Sequence, residues 1–190
     1  MKLKIITSNP GKVVEFREEF SRLGIEMEHI PHGYDEVQSS DLEEVVRKGM
    51  EYLRSDGLSD FIIDDTGLFI DGLKGFPGTW SAYVQKTIGN EGILKLLEGS
   101  DSRDAEFRTC MGCDLGGKTI IVMGVCRGSI TLEETGSGGF GYDPIFTHDG
   151  KRTFAELPAD VKNSVSHRGK AIRSLVDEVE KYRSAEAERL

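Results

Sequence analysis

The chain has 190 residues, 37% hydrophobic and 30% charged, and its 33 acidic against 24 basic side chains give a formal net charge of −9. That length supports one domain with a real core, and the charge argues against nonspecific binding to nucleic acid or to an anionic membrane. No apolar run approaches the roughly 20 residues of a membrane span, and the opening MKLKII is too short for a signal peptide, so a cytoplasmic protein is expected.

KLKIITS, from residue 2, predicts a first strand. GKVVEFREEFSRLG follows, with Val13, Phe16, Phe20 and Leu23 at helical spacing and Gly24 as its stop. IEMEHI alternates as a second strand, and residues 31–40 form a polar loop. DLEEVVRKGMEYLRSDG predicts a second helix, with Leu42, Val45, Val46 and Leu53 on one face and Ser40 or Asp41 as cap. FIIDDTGLFIDGL reads as two short apolar runs split by Asp64-Asp65-Thr66-Gly67.

GFPGTWSAYVQKTIGNEGILKLLEG begins Gly/Pro-rich and turns helical, with Ile93, Leu94 and Leu97 facing a core. Residues 104–114 and 118–132 predict a long hairpin around two glycines, and ETGSGGFGYDPIF a glycine-rich loop. HRGKAIRSLVDEVEKY predicts the last helix, with Ile172, Leu175, Val176 and Val179 inward and residues 184–190 frayed. No internal repeat interrupts this order. Alternating elements followed by a β-rich stretch indicate an α/β fold with a mixed sheet, in one domain over residues 1–190.

Several stretches could carry chemistry. Thr7-Ser8-Asn9-Pro10-Gly11-Lys12 joins the first strand to the first helix, where backbone N–H groups and the helix dipole favour an anion. It lacks the GxxxxGK[ST] pattern of a P-loop, and a plain Asn-Pro-Gly turn with an exposed lysine is the alternative. Gly136 to Gly141 satisfies GxGxxG, but Pro144 argues against the opening helix a dinucleotide site needs. Those glycines suit either close approach to a flat ligand, with Phe140 or Tyr142 as a stacking face, or a flexible hairpin end.

Asp64 and Asp65 end an apolar run, a common place for a metal ligand or general base, although a capped turn before Gly67 also explains them. Glu36 lies in the polar loop. Glu43 and Glu44 suit the first turn of a helix on dipole grounds alone. Ser164 or Ser166 could cap the last helix, and His167 stands in a dense polar cluster. His29, His32 and His148 have no metal-ligand spacing. Cys110 and Cys113 have CxxC spacing, but on a strand positions i and i+3 face opposite ways, which favours buried thiols over a metal or redox pair.

Taken together, TSNPGK, Glu36-Val-Gln, IIDDTGL, GFPGTWSA, GFGYDPIF and KNSVSHR resemble, in order and spacing, the inosine triphosphate pyrophosphatase family. The resemblance covers residues 5 to about 182. It implies a long mixed sheet with two α/β lobes and a deep cleft between them, usually in a homodimer. The implied reaction is Mg²⁺-dependent hydrolysis of non-canonical purine nucleoside triphosphates to the monophosphate and pyrophosphate. By matching position, Thr7, Ser8, Asn9 and Lys12 would hold phosphate, with Lys48 and Lys162 closing the other side. Glu36 and Asp65 would be the metal and water-activating acids. Phe140, Gly141, Tyr142, Asp143, His167 and Arg168 would form the base pocket. Ser8 stands where the family usually has Gly, Tyr142 where Trp is common, and Asp64 where Glu is usual. A nucleotide-binding regulator without hydrolysis, and a pyrophosphatase for modified pyrimidine nucleotides, are the competing readings.

Overall fold

The structure, a computed structural model, describes residues 2–33 and 37–188, the side chain of residue 186 excepted. Among them seven strands form one mixed sheet: β1 (Lys2–Ile6), β2 (Glu26–Ile30), β3 (Phe61–Ile70), β4 (Pro77–Gly78), β5 (Asp104–Leu115), β6 (Lys118–Ile130) and β7 (Phe146–Thr147). The order is β2-β1-β3-β5-β6-β7, with β4 paired to β3 off that path. β1 runs parallel to β2 and β3, and the remaining pairings are antiparallel. The helices are α1 (Pro10–Arg22), α2 (Leu42–Ser55), α3 (Ser81–Thr87), α4 (Gly89–Leu96), α5 (Ala159–Val165) and α6 (His167–Ala187).

Pleat alternation sorts the core. Leu3, Ile5, Ile62, Met111 and Cys113 pack with Phe16 and Phe20 of α1 and with Ile172, Leu175 and Val179 of α6. Ile6, Phe61, Ile63 and Cys110 turn to the other face and meet Leu42, Val46, Met50 and Leu53 around α2. Further along the same strands, Leu68, Ile70, Phe107 and Ile130 join Val84, Ile93, Phe146 and Phe154 in a third cluster. β3 therefore has a packed cluster at each end and the polar run Asp64–Thr66 in between. The two CxxC thiols fall on opposite faces, as the strand period requires, and all three cysteines are free and buried.

Local capping follows the sequence in two places. Asp41 accepts from the Glu43 N–H at 2.9 Å to start α2, and Ser166 accepts from the Gly169 N–H at 3.0 Å to start α6. Elsewhere the structure corrects the expectation. Asp64 and Asp65 do not split β3, which keeps register with β5 from Ile62↔Cys113 to Ile70↔Ala105. A hydroxyl pair, Thr66 to Thr109 at 2.6 Å, ties its middle to the neighbouring strand. Leu23 caps the end of α1 and is exposed instead of joining the core. The segment after Trp80 breaks into two helices, and residues 159–165 form a helix that their polar sequence hid. α6 continues through Ala187 where fraying was expected, because Ala, Glu and Arg favour helix and no Gly or Pro stops it.

α6 seats on β6 at Gly124. A Cβ there would lie 2.0 Å from the His167 carbonyl oxygen and 2.6 Å from the Ala171 nitrogen. Gly124→Ala should therefore lift the first turn of α6 and cost about 1–3 kcal/mol, as overpacking does. The expected result is a lower urea midpoint with an unchanged m-value; an unchanged midpoint would show that the seat is loose.

Candidate active site

The turn between β1 and α1 is built around Asn9. Its Oδ1 accepts from the Gly11 N–H at 2.9 Å and the Lys12 N–H at 3.3 Å, and its own N–H donates to Thr7 Oγ1 at 3.2 Å. Asn9 is thus the helix cap, and it takes two of the amides expected to hold an anion. The capacity moves to the other branch of the same side chain: Nδ2 is the donor left for a ligand, beside the Thr7 and Ser8 hydroxyls. Thr7, Ser8, Asn9 and Lys12 all line a cavity of about 590 Å³.

One wall of that cavity is a chain of alternating charges. Asp143 pairs with Lys162 at 2.7 Å, and Lys162 with Glu15 at 2.6 Å. Glu15 pairs closely with Arg168 Nη1, and Arg168 Nε lies 3.2 Å from Asp64 Oδ2. Asp64 Oδ1 is 3.2 Å from Lys12 Nζ, whose aligned hydrogen bond goes to the Asp64 carbonyl oxygen at 2.9 Å. Arg168 Nη2 also donates to Thr66 Oγ1 at 3.0 Å. Burial is the largest single influence on Glu15 and opposes its charge, but Arg168 and Lys162 together outweigh it and hold its carboxyl below the ordinary value. Asp64 behaves alike, with burial outweighed by Lys12 and Arg168. Asp143, where burial wins over Lys162, is raised.

The glycine loop adjoins this charge chain and also lines the cavity. Phe140 rests on the turn at Gly11, where a Cβ would come within 2.5 Å of its ring. Lys162 Nζ lies 5.2 Å from the Phe140 centroid, within cation–π range. The Phe140 N–H donates to Asp143 Oδ2 at 2.7 Å, so the charge chain also fixes the loop. Tyr142 is buried, with its hydroxyl donating to the Ser81 carbonyl at 2.8 Å, and its phenol is pushed up by burial. It anchors the loop more than it presents a stacking face. His167 stacks on Phe107 at 4.5 Å and 18°, and its Nδ1 has no partner among the described residues. Burial, helped by the Arg168 and Lys162 charges, pushes its pKa well down and keeps it neutral.

Asp65 also lines the cavity, on the face of β3 opposite Asp64, and its Oδ1 accepts from the Thr66 N–H at 2.8 Å. Asp65 lies opposite Cys110 on β5, whose thiol burial pushes up to about 12, with Asp65 among the charges that add to the shift. Among the described residues no three His, Cys, Asp or Glu side chains form a metal cage. Mg²⁺ needs only one or two carboxylates when phosphate and water supply the rest, so the cavity fits an ion that arrives with a phosphorylated ligand. Glu36, the other expected acid, lies outside the described residues.

The structure does not bring Lys48 to this wall. Its side chain is 51% exposed on α2 and pairs with Glu51 at 2.8 Å, because its helical position points it away from the buried face. Lys12 and Lys162, expected to hold phosphate, are likewise paired with acids, so neither stands as a free cation on the described wall. Glu15 and Phe107 were missed. Glu15 and Glu19 repeat at i and i+4 beside the apolar stripe of α1, an arrangement of like charges that makes sense only with cations packed across it: Lys162 and Arg168 for one, Arg173 for the other.

A mixed sheet with a charged cavity at its first strand-to-helix turn, bordered by an aromatic glycine loop, defines an α/β protein with a site suited to a flat, phosphorylated ligand. The profile of the Ham1 family matches residues 3–178, and the chain belongs to that family. It is 47% identical over 178 residues to the dITP/XTP pyrophosphatase of Pyrococcus horikoshii, covering 93% of this chain and 96% of that one. The protein of the same name from Thermococcus kodakarensis gives the same identity and coverage. The Staphylococcus aureus Ham1 structure superposes with a TM-score of 0.80 at 27% identity, over 96% of this chain and 100% of that one.

His167 is neutral in the fold but takes up a proton near pH 6.5 once exposed. A depressed pKa contributes stability that is complete above about 6.5 and is lost as pH falls towards the folded value. Between pH 6.5 and 5, wild-type stability should therefore fall more steeply than that of His167→Asn, by up to about 1.4 kcal/mol per pH unit. Parallel pH profiles in urea denaturation would show that the imidazole is not held neutral.

Proposed function

We propose that this protein hydrolyses non-canonical purine nucleoside triphosphates, ITP, dITP and XTP, to the monophosphate and pyrophosphate. One observation carries the reading: a single cavity is lined by the turn at residues 7–12, by the aromatic loop at 140–143 and by Asp65. Its volume of about 590 Å³ suits a nucleotide. Membership of the Ham1 family and the names of the archaeal relatives support it.

In this reading Asn9 Nδ2, the Thr7 and Ser8 hydroxyls and Lys12 hold the outer phosphates. Phe140 and Gly141 face the base, with Tyr142, Asp143, His167 and Arg168 behind them. Lys162 acts through Asp143 and Phe140 and does not reach the phosphates as a free cation. Asp65 orients the attacking water at the α-phosphorus, and with Glu36 would hold Mg²⁺. That ion, when bound, supplies positive charge to the phosphate oxygens. Pyrophosphate leaves into the donors of the turn, which stabilise the charge it gains. We place the enzyme in the cytoplasm as a homodimer of a two-lobed single domain, acting on free nucleotides. The resemblance supports the dimer, and the net charge of −9 supports separation from nucleic acid and membrane. No helix among the described residues is long and apolar enough to cross a membrane.

Labelled water provides the test. Label should enter the monophosphate and not the pyrophosphate, and a nucleoside diphosphate with free orthophosphate as first products would overturn the assignment. Release of no phosphate product from any keto purine nucleotide would favour the binding regulator. Asp65→Asn should lower kcat by about 10²–10⁴-fold with an unchanged urea midpoint; retention of more than roughly half the activity would return Asp65 to a structural role.

A further inference from the structure

Two side-chain amides converge on one backbone oxygen. Gln85 Nε2 donates to the Gly141 carbonyl at 3.0 Å, and Asn90 Nδ2 donates to the same oxygen at 3.2 Å. A carbonyl oxygen only accepts, so each amide must turn its NH₂ towards it. That choice fixes the other branch. Gln85 Oε1 is buried without a hydrogen-bond partner, and Gln85 lines the cavity together with Phe140 and Gly141. Asn90 Oδ1 is also unpartnered, but Asn90 is not part of the cavity wall. Native proteins rarely leave a buried acceptor unpaired. At a cavity wall, the missing donor is one that a ligand can bring.

We propose that Gln85 is a specificity-determining residue whose Oε1 accepts a hydrogen bond from a ring N–H of the bound keto purine. The inference rests on the hydrolytic reading above and names a new contact within the same site. Hypoxanthine carries N1–H, and xanthine carries N1–H and N3–H. The six-membered ring of adenine presents only lone pairs at those positions. An acceptor held in place by Gly141 therefore completes its hydrogen bond with a keto purine and meets a lone pair on adenine. Gln85 cannot adapt by rotating its amide, because that would set its oxygen against the Gly141 carbonyl. Gln85 stands on α3, and its hydrogen bond to Gly141, between Phe140 and Tyr142, puts the contact at the base end of the ligand, away from the turn that holds phosphate.

The test compares wild type, Gln85→Leu and Asn90→Ala, with kcat/KM measured for ITP, dITP, XTP and ATP. Gln85→Leu should lower kcat/KM for the three keto nucleotides by at least about tenfold, mainly through KM, and leave ATP nearly unchanged. Asn90→Ala removes the other grip on the loop and should affect all four nucleotides alike. A loss in Gln85→Leu that is equal for all four, or no loss, would overturn the proposal. So would a loss with ITP but not dITP, which would place the donor on the ribose. Calorimetric binding of IMP and AMP repeats the comparison without turnover. A protein that binds IMP through Gln85 but hydrolyses nothing would fail the hydrolytic reading alone.

Discussion

The site depends on a run of six charges, Asp143–Lys162–Glu15–Arg168–Asp64–Lys12, five of them buried and Lys12 partly exposed at its end, in which every member has an opposite neighbour. They come from α1, β3, the turn after the glycine loop, α5 and α6, so no two adjacent elements can form it alone. Taking such charges out of water is costly, and removing Lys162 leaves Asp143 buried without its cation, at about 3–5 kcal/mol. Three acids balance three bases, so this wall is neutral inside a protein of charge −9. The chain of pairs therefore brings no surplus of either sign to a polyanion, and dipoles carry a large share of its recognition beside Lys12: the Asn9 amide, the two hydroxyls and the loop backbone.

The pleat divides two adjacent acids between two tasks. Asp64 faces α1 and α6 and is consumed by Lys12 and Arg168, while Asp65, one residue on, lies on the sheet face that carries α2. The pair looks redundant in sequence, but the strand period makes the residues unlike in partners, burial and chemistry. The same alternation separates Cys110 from Cys113. The glycine loop shows the complementary device, where contacts distant in sequence (Gly11, Ser81, Gln85 and Asn90) and the local one to Asp143 hold a segment with few side chains of its own.

What was legible in the sequence was what local pattern controls. The alternation of β2 and β5, the helical stripes of α1, α2 and α6, the hairpin at Gly116-Gly117 and the caps at Asp41 and Ser166 are set by neighbours in the chain. The continuous course of β3 was not, because only Lys12 and Arg168, distant in sequence, allow a buried Asp64 inside a strand. Lys48 was assigned to the cavity by resemblance, but its helical phase turns it to solvent beside Glu51. Glu15, Gln85 and Phe107 carried no motif. Their significance lies in partners on other elements, and in Gln85 in the lack of one.

The position of the three thiols has a practical corollary. Cys110 and Cys113 are buried on opposite faces of the central sheet with their thiols pushed up to about 12, and Cys126 is buried near the end where β7 joins. At neutral pH the reactive thiolate is scarce at the first two by several orders of magnitude, and none of the three is open to an approaching reagent. Alkylation therefore has to wait for the sheet to part, so the rate at which a thiol reagent consumes each cysteine is a clock for breathing of the fold. Cys110 reports the α2 side, Cys113 the α1–α6 side, and Cys126 the region beneath the glycine loop's aromatic cluster.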